Sequence, residues 1–192
     1  SSQATGLTWD TASESTLTTK GDLYTYDTGN ARLPVGNDGD ILVADSGETT
    51  GLKWRPVGKV SAYLASNFSM PLSTWTKIVF DTEEFDTGSE FATGRFTAAA
   101  TGYYLVIGMV TMGVFGDNDP FDIVMYKNGS PSKYLFGLGT STASTEIAYT
   151  GGALITQLDA AEYVEIYARQ EDSGINAYGG INNTWMQIYR IA

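Results

Sequence analysis

The sequence contains no cysteine and no histidine. Without cysteine the chain forms no disulfide and has no thiol nucleophile, which fits assembly in a reducing cytoplasm. Without histidine it lacks the usual general base of hydrolases and the commonest ligand of transition metals. These two absences exclude thiol chemistry and serine–histidine catalysis.

Basic residues are also scarce. Eleven Lys and Arg stand against 22 Asp and Glu, so the formal net charge is −11. An anionic surface argues against nucleic acid and anionic membrane as partners, and leaves neutral or cationic glycans open. No apolar run is long enough for membrane insertion, and no signal peptide is visible.

No group of residues has the composition of a catalytic site. Serine and threonine are frequent but have no histidine to activate them. Two acidic pairs, Glu83-Glu84 and Glu171-Asp172, could serve a glycosidase, but solvated loop charges explain them better. We therefore expect no enzymatic activity, and a glycan-degrading enzyme is the weakest reading.

The composition favours an all-β chain with a packed core. Hydrophobic residues make up 42% of the 192 residues, and glycine, threonine, serine and tyrosine are frequent. The most informative stretch, Gly94 to Gly113, ends in an uninterrupted apolar run that begins at Tyr103. Alternation divides that run into two apolar sides: Tyr104, Val106, Val110 and Met112 on one, and Tyr103, Leu105, Ile107 and Met109 on the other. The first side predicts a core, and the second predicts cover by more of the chain or by a second subunit.

The same stretch carries a family resemblance. Phe96, Gly102 and Tyr104 have the spacing found in the C1q-like globular head, and the match extends upstream through Phe80 and Phe91. The sequence departs from the family at Val106 and Gly108, where aromatic residues are usual. The resemblance implies a ten-stranded jelly roll of the C1q/TNF type, assembled as a homotrimer, over residues 59–192.

Residues 1–58 contain an internal repeat. Thr5-Gly6-Leu7-Thr8-Trp9 recurs as Thr50-Gly51-Leu52-Lys53-Trp54, an offset of 45 residues. The repeat resembles one found in bacteriophage tail and head fibres, where it forms a trimeric shaft. Three copies could bury Leu33, Val35 and Trp54 at their interface, although a flexible linker is the alternative. Because the chain begins within a repeat, we expect a longer N-terminal region that joins the rest of the virion.

One acidic loop is a candidate metal site. Asp117 and Asp119 flank Asn118 and offer the oxygen ligands that calcium prefers, but a solvated turn fits the same residues. No other cofactor is indicated.

Loop aromatics and amides are the candidate ligand-binding residues. Tyr178 could stack on a sugar ring while Asn176 and Asn182 bond its hydroxyls, and Tyr134 with Phe136 offers a second aromatic patch. Packing at subunit contacts is an equal alternative for these residues. Three further tyrosines, Tyr163, Tyr167 and Tyr189, are predicted to lie on one outer side and to form the trimer interface.

Together these features predict a virion fibre with a shaft at 1–58 and a receptor-binding head at 59–192. The head would attach the particle to a host-surface glycan or envelope component, acting outside the cell after assembly in the host cytoplasm. The alternative function is structural: a knob that nucleates trimerisation and caps the shaft without binding a receptor.

Overall fold

The structure, a computed structural model, describes residues 17–113, 120–138, 148–172 and 174–191. These residues form strands and turns, and none of them lies in a helix that could cross a membrane. The chain divides into two compact units, Ser1–Pro56 and Val57–Ala192.

The described part of the first unit consists of two antiparallel hairpins. One pairs β1 (Leu23–Tyr26) with β2 (Asn30–Leu33), and the other pairs β3 (Ile41–Ala44) with β4 (Leu52–Arg55). Four-residue strands bury little surface, so side chains that reach beyond their own ladder must hold these hairpins in place.

Trp54 is one of those side chains. Its indole Nε1–H donates a 2.7 Å hydrogen bond to the carbonyl oxygen of Pro34. A Cβ at Gly36 would lie 2.6 Å from the Trp54 ring, so only glycine allows this approach. Trp54 on β4 therefore packs against the segment that follows β2.

Asp22 is the second. Its carboxylate accepts hydrogen bonds from the backbone N–H groups of Thr18, Thr19 and Val35, and it forms a 2.7 Å ion pair with Arg32. Burial alone would raise the pKa of Asp22. The backbone donors and Arg32 outweigh it, and they lower the pKa from 3.8 to about 2.

The Asp22 contacts predict that the first hairpin undergoes an acid transition at a pH below the ordinary pKa of an aspartate. Because the folded pKa is depressed, its stabilisation is complete above about pH 4 and is lost as the pH falls towards 2. In NMR spectra of the full chain, the Val35 amide should shift with a midpoint near 2, and Asp22→Asn should remove that step. A Val35 midpoint at or above 3.8 would contradict the assignment.

The second unit is a sandwich of two antiparallel sheets. The first sheet has the order β14-β11-β17-β5-β8. The short strand β16 pairs with Met112 of β11 and also with the short strand β6. Its strands are β5 (Lys59–Tyr63), β6 (Phe68–Ser69), β8 (Thr82–Asp86), β11 (Gly102–Met112), β14 (Ala148–Leu158), β16 (Asn176–Ala177) and β17 (Trp185–Arg190).

The second sheet has the order β13-β12-β15-β10-β9, and the short strand β7 also pairs with β15. Its strands are β7 (Thr76–Lys77), β9 (Phe91–Ala92), β10 (Arg95–Thr97), β12 (Phe121–Lys127), β13 (Ser130–Leu138) and β15 (Tyr163–Gln170). Without β6, β7 and β16, each sheet has five strands, as the predicted ten-stranded sandwich requires.

Strand β11 supplies the centre of the core. Tyr104, Val106, Val110 and Met112 are fully buried, whereas Tyr103 on the other side is half exposed, so the predicted division of this strand is confirmed. The Tyr104 ring lies 5.4 Å from the ring of Phe96 on β10, and its hydroxyl donates to the Ala100 carbonyl. The Phe96–Tyr104 spacing noted in the sequence is thus a contact between the two sheets.

The dipeptide Asn128-Gly129 predicts a tight hairpin turn, and the structure confirms that turn. Both residues have positive φ, 51° and 79°, and the turn joins β12 to β13. Asparagine and glycine adopt these angles at low cost, which explains why this hairpin was visible in the sequence.

Two consecutive glycines within a strand, here Gly151-Gly152, predict a bulge or bend, but the structure has neither at this position. Strand β14 passes through it and pairs with β11 without a shift of register. A Cβ at Gly152 would lie 2.1 Å from the carbonyl oxygen of Leu135 on β13. The pair is there because neighbouring backbone approaches too closely for a side chain.

Gly152→Ala should therefore destabilise the second unit. Relieving a backbone contact of this kind costs about 1–3 kcal/mol, and thermal unfolding should shift down by several degrees. Gly108 stands directly opposite on β11, and its added Cβ would make only an ordinary 3.6 Å contact with Leu135. Gly108→Ala is the matched control, and equal unfolding temperatures for the two variants would contradict this account.

Candidate ligand-binding site

The outward side of the first sheet is predominantly apolar. In the register, Leu105 stands beside Ile155 of β14 and Tyr189 of β17. We call this surface the apolar face; it carries Tyr63, Phe85, Tyr103, Leu105, Ile107, Met109, Ala153, Ile155, Trp185 and Tyr189. Ile155 is 54% exposed and Tyr103 is 51% exposed. Gln187, which stands opposite Ile107, interrupts this surface. A largely apolar surface of this kind is typical of a protein–protein contact.

The outward side of the second sheet has a different composition. Trp75 lies 6.5 Å from Tyr126 and 6.3 Å from Tyr134, measured between ring centroids. Tyr126 in turn stacks on Tyr167 at 3.9 Å. We call this surface the aromatic face; β12, β13, β15 and the segment before β7 contribute its rings. It combines flat apolar rings with polar edges, which suits a small polar ligand.

Glu165 is a nearly buried charge on this face. Its Oε1 accepts a 2.7 Å bond from Lys77 and a 2.9 Å bond from Arg95, so two cations share one carboxylate oxygen. Burial alone would raise the pKa of Glu165, but the two cations outweigh that effect and lower it. Arg95 also lies over the ring of Tyr163, 3.8 Å from its centroid.

Arg169 is the third cation on the aromatic face. Its guanidinium lies 6.0 Å from the Trp75 ring centroid and forms an ion pair with Glu171. Asp122 stands opposite Arg169 in the register, and burial raises the pKa of its carboxyl group. Charges of both signs therefore border the aromatic rings.

Three of the predicted ligand-binding residues lie around the loop between β16 and β17. Tyr178 packs over Gly113, its backbone N–H donates to Thr111, and Asn176 and Asn182 are exposed. Gly179 N–H donates to the Asn67 side chain, and Gly180 N–H donates to the Leu64 carbonyl. These bonds fix the loop to the first sheet.

The other two predicted ligand-binding residues lie on β13, the edge strand of the second sheet. Tyr134 is 63% exposed and belongs to the aromatic face, whereas Phe136 is half-buried and packs against the core. Tyr134 and Tyr178 belong to different sheets, so the structure gives two separate ligand candidates. Whether either binds a ligand stays a prediction.

The three interface tyrosines do not share one side, contrary to the expectation. Tyr163 and Tyr167 lie on the second sheet, and Tyr189 lies on the first. Arg95 and Tyr126 of the same chain already cover the rings of Tyr163 and Tyr167. Their place at a subunit contact stays a prediction, as does that of Tyr189, which lies on the apolar face.

In the first unit, the three predicted interface residues have different environments. Leu33 and Trp54 are half-buried, and Val35 is exposed. Their place in a trimeric shaft stays a prediction. The candidate calcium ligands Asp117 and Asp119 lie outside the described residues, and no group of three potential metal ligands occurs within those residues.

The second unit also has a groove of about 300 Å³. It is lined by Leu64, Ser66, Asn67, Phe68, Lys77, Val79 and Asp81. Lys77 lines this groove and also binds Glu165, so the groove adjoins the aromatic face.

Comparison with known proteins was made at the level of sequence and of structure. Neither a protein-family model nor a curated protein sequence matches this chain. Among solved structures, murine APRIL at pH 5.0 matches with a TM-score of 0.53 and 12% identity, over 70% of this chain and 99% of that one. The globular domain of zebrafish complement 1qA matches with a TM-score of 0.50 and 14% identity, over 70% of this chain and 97% of that one.

The second unit is a TNF/C1q-like jelly roll. The expected all-β jelly-roll fold is thereby confirmed. At these identities the likeness establishes the fold alone.

Trp75, Tyr126 and Arg169 had no place among the sequence-predicted site residues. A partial signal was available, because the Asn128-Gly129 turn places Tyr126 and Tyr134 on one hairpin. The contribution of Trp75 depends on the pairing of β7 with β15, which are about ninety residues apart. A single sequence does not specify contacts of that range.

Glu165→Gln should destabilise the second unit, because it leaves Lys77 and Arg95 without their shared carboxylate. Both cations still reach solvent, so we expect a loss of about 1–3 kcal/mol in urea unfolding. Glu171→Gln is the control, since the Arg169–Glu171 pair is more exposed and should contribute less than about 1 kcal/mol. An equal effect of the two substitutions would argue against a special role for Glu165.

Proposed function

We propose that the chain belongs to a bacteriophage fibre and that its jelly roll is a homotrimeric head that attaches the virion to a host-surface glycan. The apolar face carries this proposal. A single protomer leaves Ile155 and Tyr103 open to water, and further copies of the same chain would cover them. The repeat in residues 1–58 supports the fibre context, since it resembles repeats of trimeric phage shafts.

The electrostatics favour self-association on one face and ligand binding elsewhere. The ten named residues of the apolar face are uncharged, whereas Lys59 and Glu84 lie at its edge, so copies could meet there with few charges in the contact. The aromatic face lies on the opposite side of the sandwich and stays accessible in such an assembly. Three weak identical sites would then bind a repetitive cell surface through avidity.

Ile155→Asp should convert the trimer to single chains, because it would bury a carboxylate in each copy of an apolar contact. Light scattering should give about three times 20.6 kDa for the wild type and one such mass for the variant. Leu72→Asp is the control: Leu72 is 52% exposed, close to Ile155, but lies in the loop before β7. A wild-type monomer, or a mass that Ile155→Asp leaves unchanged, would refute this interface.

The same variants separate attachment from a purely structural knob. If the head is an adhesin, labelled wild-type protein should bind cells of a host strain, and the monomeric variant should bind at least about a hundredfold more weakly. A trimer that binds no cell surface would favour the knob.

A further inference from the structure

Three aromatic side chains from distant parts of the sequence meet on the outside of the second sheet. Trp75 contacts Tyr126 and Tyr134 in tilted and edge-on arrangements, at 6.5 and 6.3 Å. Tyr134 keeps 63% of its surface open although it belongs to this contact. The group therefore presents a partly open aromatic surface whose rings are already oriented by one another.

Neighbouring side chains hold this surface in place. Tyr167 stacks on Tyr126, and Arg169 lies beside Trp75 with its guanidinium paired to Glu171. Tyr126, Tyr134 and Tyr167 stand on long strands of one sheet. Little conformational entropy would be lost on binding, because these positions are set before a ligand arrives.

The surrounding charges indicate an uncharged ligand. Lys77 and Arg95 are paired with Glu165, and Arg169 is paired with Glu171 and stands opposite Asp122. Each of these three cations thus has a carboxylate beside it, whereas Lys133, next to Tyr134 in β13, donates to the carbonyl oxygen of Ile155. An anionic ligand would meet as much repulsion as attraction, in a chain whose net charge is −11.

We propose that the exposed ring of Tyr134 forms a stacking platform for a pyranose ring of a neutral oligosaccharide, with Trp75 edge-on beside it and with Arg169 and Glu171 bonding the sugar hydroxyls. The flat C–H side of a sugar ring matches an aromatic surface, and its hydroxyls match a paired donor and acceptor. This inference rests on the proposed glycan attachment, and it places the ligand on the aromatic face instead of the Tyr178 loop.

The test uses the full chain and saturation-transfer NMR with neutral hexaoses, namely maltohexaose, cellohexaose and mannohexaose, and with hexagalacturonate as the acidic counterpart. At least one neutral probe should bind, with transfer to its ring C–H protons. Tyr134→Ala should weaken that binding at least about tenfold, and Tyr134→Phe should retain most of it. Tyr26→Ala is the control that should leave the affinity unchanged, since Tyr26 is a highly exposed tyrosine of the first unit. Tyr178→Ala tests the alternative site in the loop between β16 and β17.

Three outcomes would overturn the inference. Binding that Tyr178→Ala abolishes and Tyr134→Ala retains would place the sugar on the loop, and the proposed attachment function would survive. A preference for hexagalacturonate would refute the charge argument. No binding of any neutral probe would refute the platform; cell binding by the same protein would then decide whether attachment itself also fails.

Discussion

The packing of β11 on both of its sides is the constraint on which the second unit depends. One side carries Tyr104 and Val106 into the core, where Tyr104 meets Phe96 of the opposite sheet. The other side carries Leu105 and Ile107 to the outside, where Leu105 lies between Ile155 and Tyr189 and Ile107 lies between Ala153 and Gln187. A strand of this kind is stable in water only when both sides are covered, and the sandwich covers one. The side that carries Leu105 and Ile107 is the reason for proposing that the protein associates with copies of itself.

The outward side of the second sheet is covered by contacts within the same chain. Its outward tyrosines are stacked on each other or beneath arginine, and the buried Glu165 balances two cations. These contacts stay within one chain, so this side needs no partner for stability. The two proposals accordingly assign different roles to the two outer surfaces: the first sheet would contact copies of the chain, and the second sheet would bind a ligand. In both proposals, rigid strands rather than loops position the residues that matter.

Local patterns in the sequence were sufficient for much of the fold. Alternation defined the two sides of β11, the Asn128-Gly129 turn placed the β12–β13 hairpin, and the Phe96–Tyr104 spacing pointed to the jelly roll. Each of these signals depends on residues close together in the chain or on a family pattern.

Pairing between distant strands was not accessible in the same way. The sequence could not show that Tyr163 and Tyr189 belong to different sheets, because that depends on which strands lie next to β15 and β17. The Gly151-Gly152 pair was misread for a similar reason, since the close neighbour that requires it is Leu135 on β13. The role of Asp22 was not accessible either, because only the folded chain brings Val35 and Arg32 to its carboxylate.

Peroxide oxidation of the wild-type protein tests the cover of β11 most directly. Of the five methionines, Met70, Met112, Met125 and Met186 are buried within the protomer, and Met109 lies on the apolar face. Mass spectrometry after a short exposure to dilute peroxide reports the rate at each methionine. If copies of the chain cover the apolar face, Met109 should oxidise as slowly as the four buried methionines. Rapid oxidation of Met109, with the other four intact, would show that this side of β11 is open to water and would contradict the account.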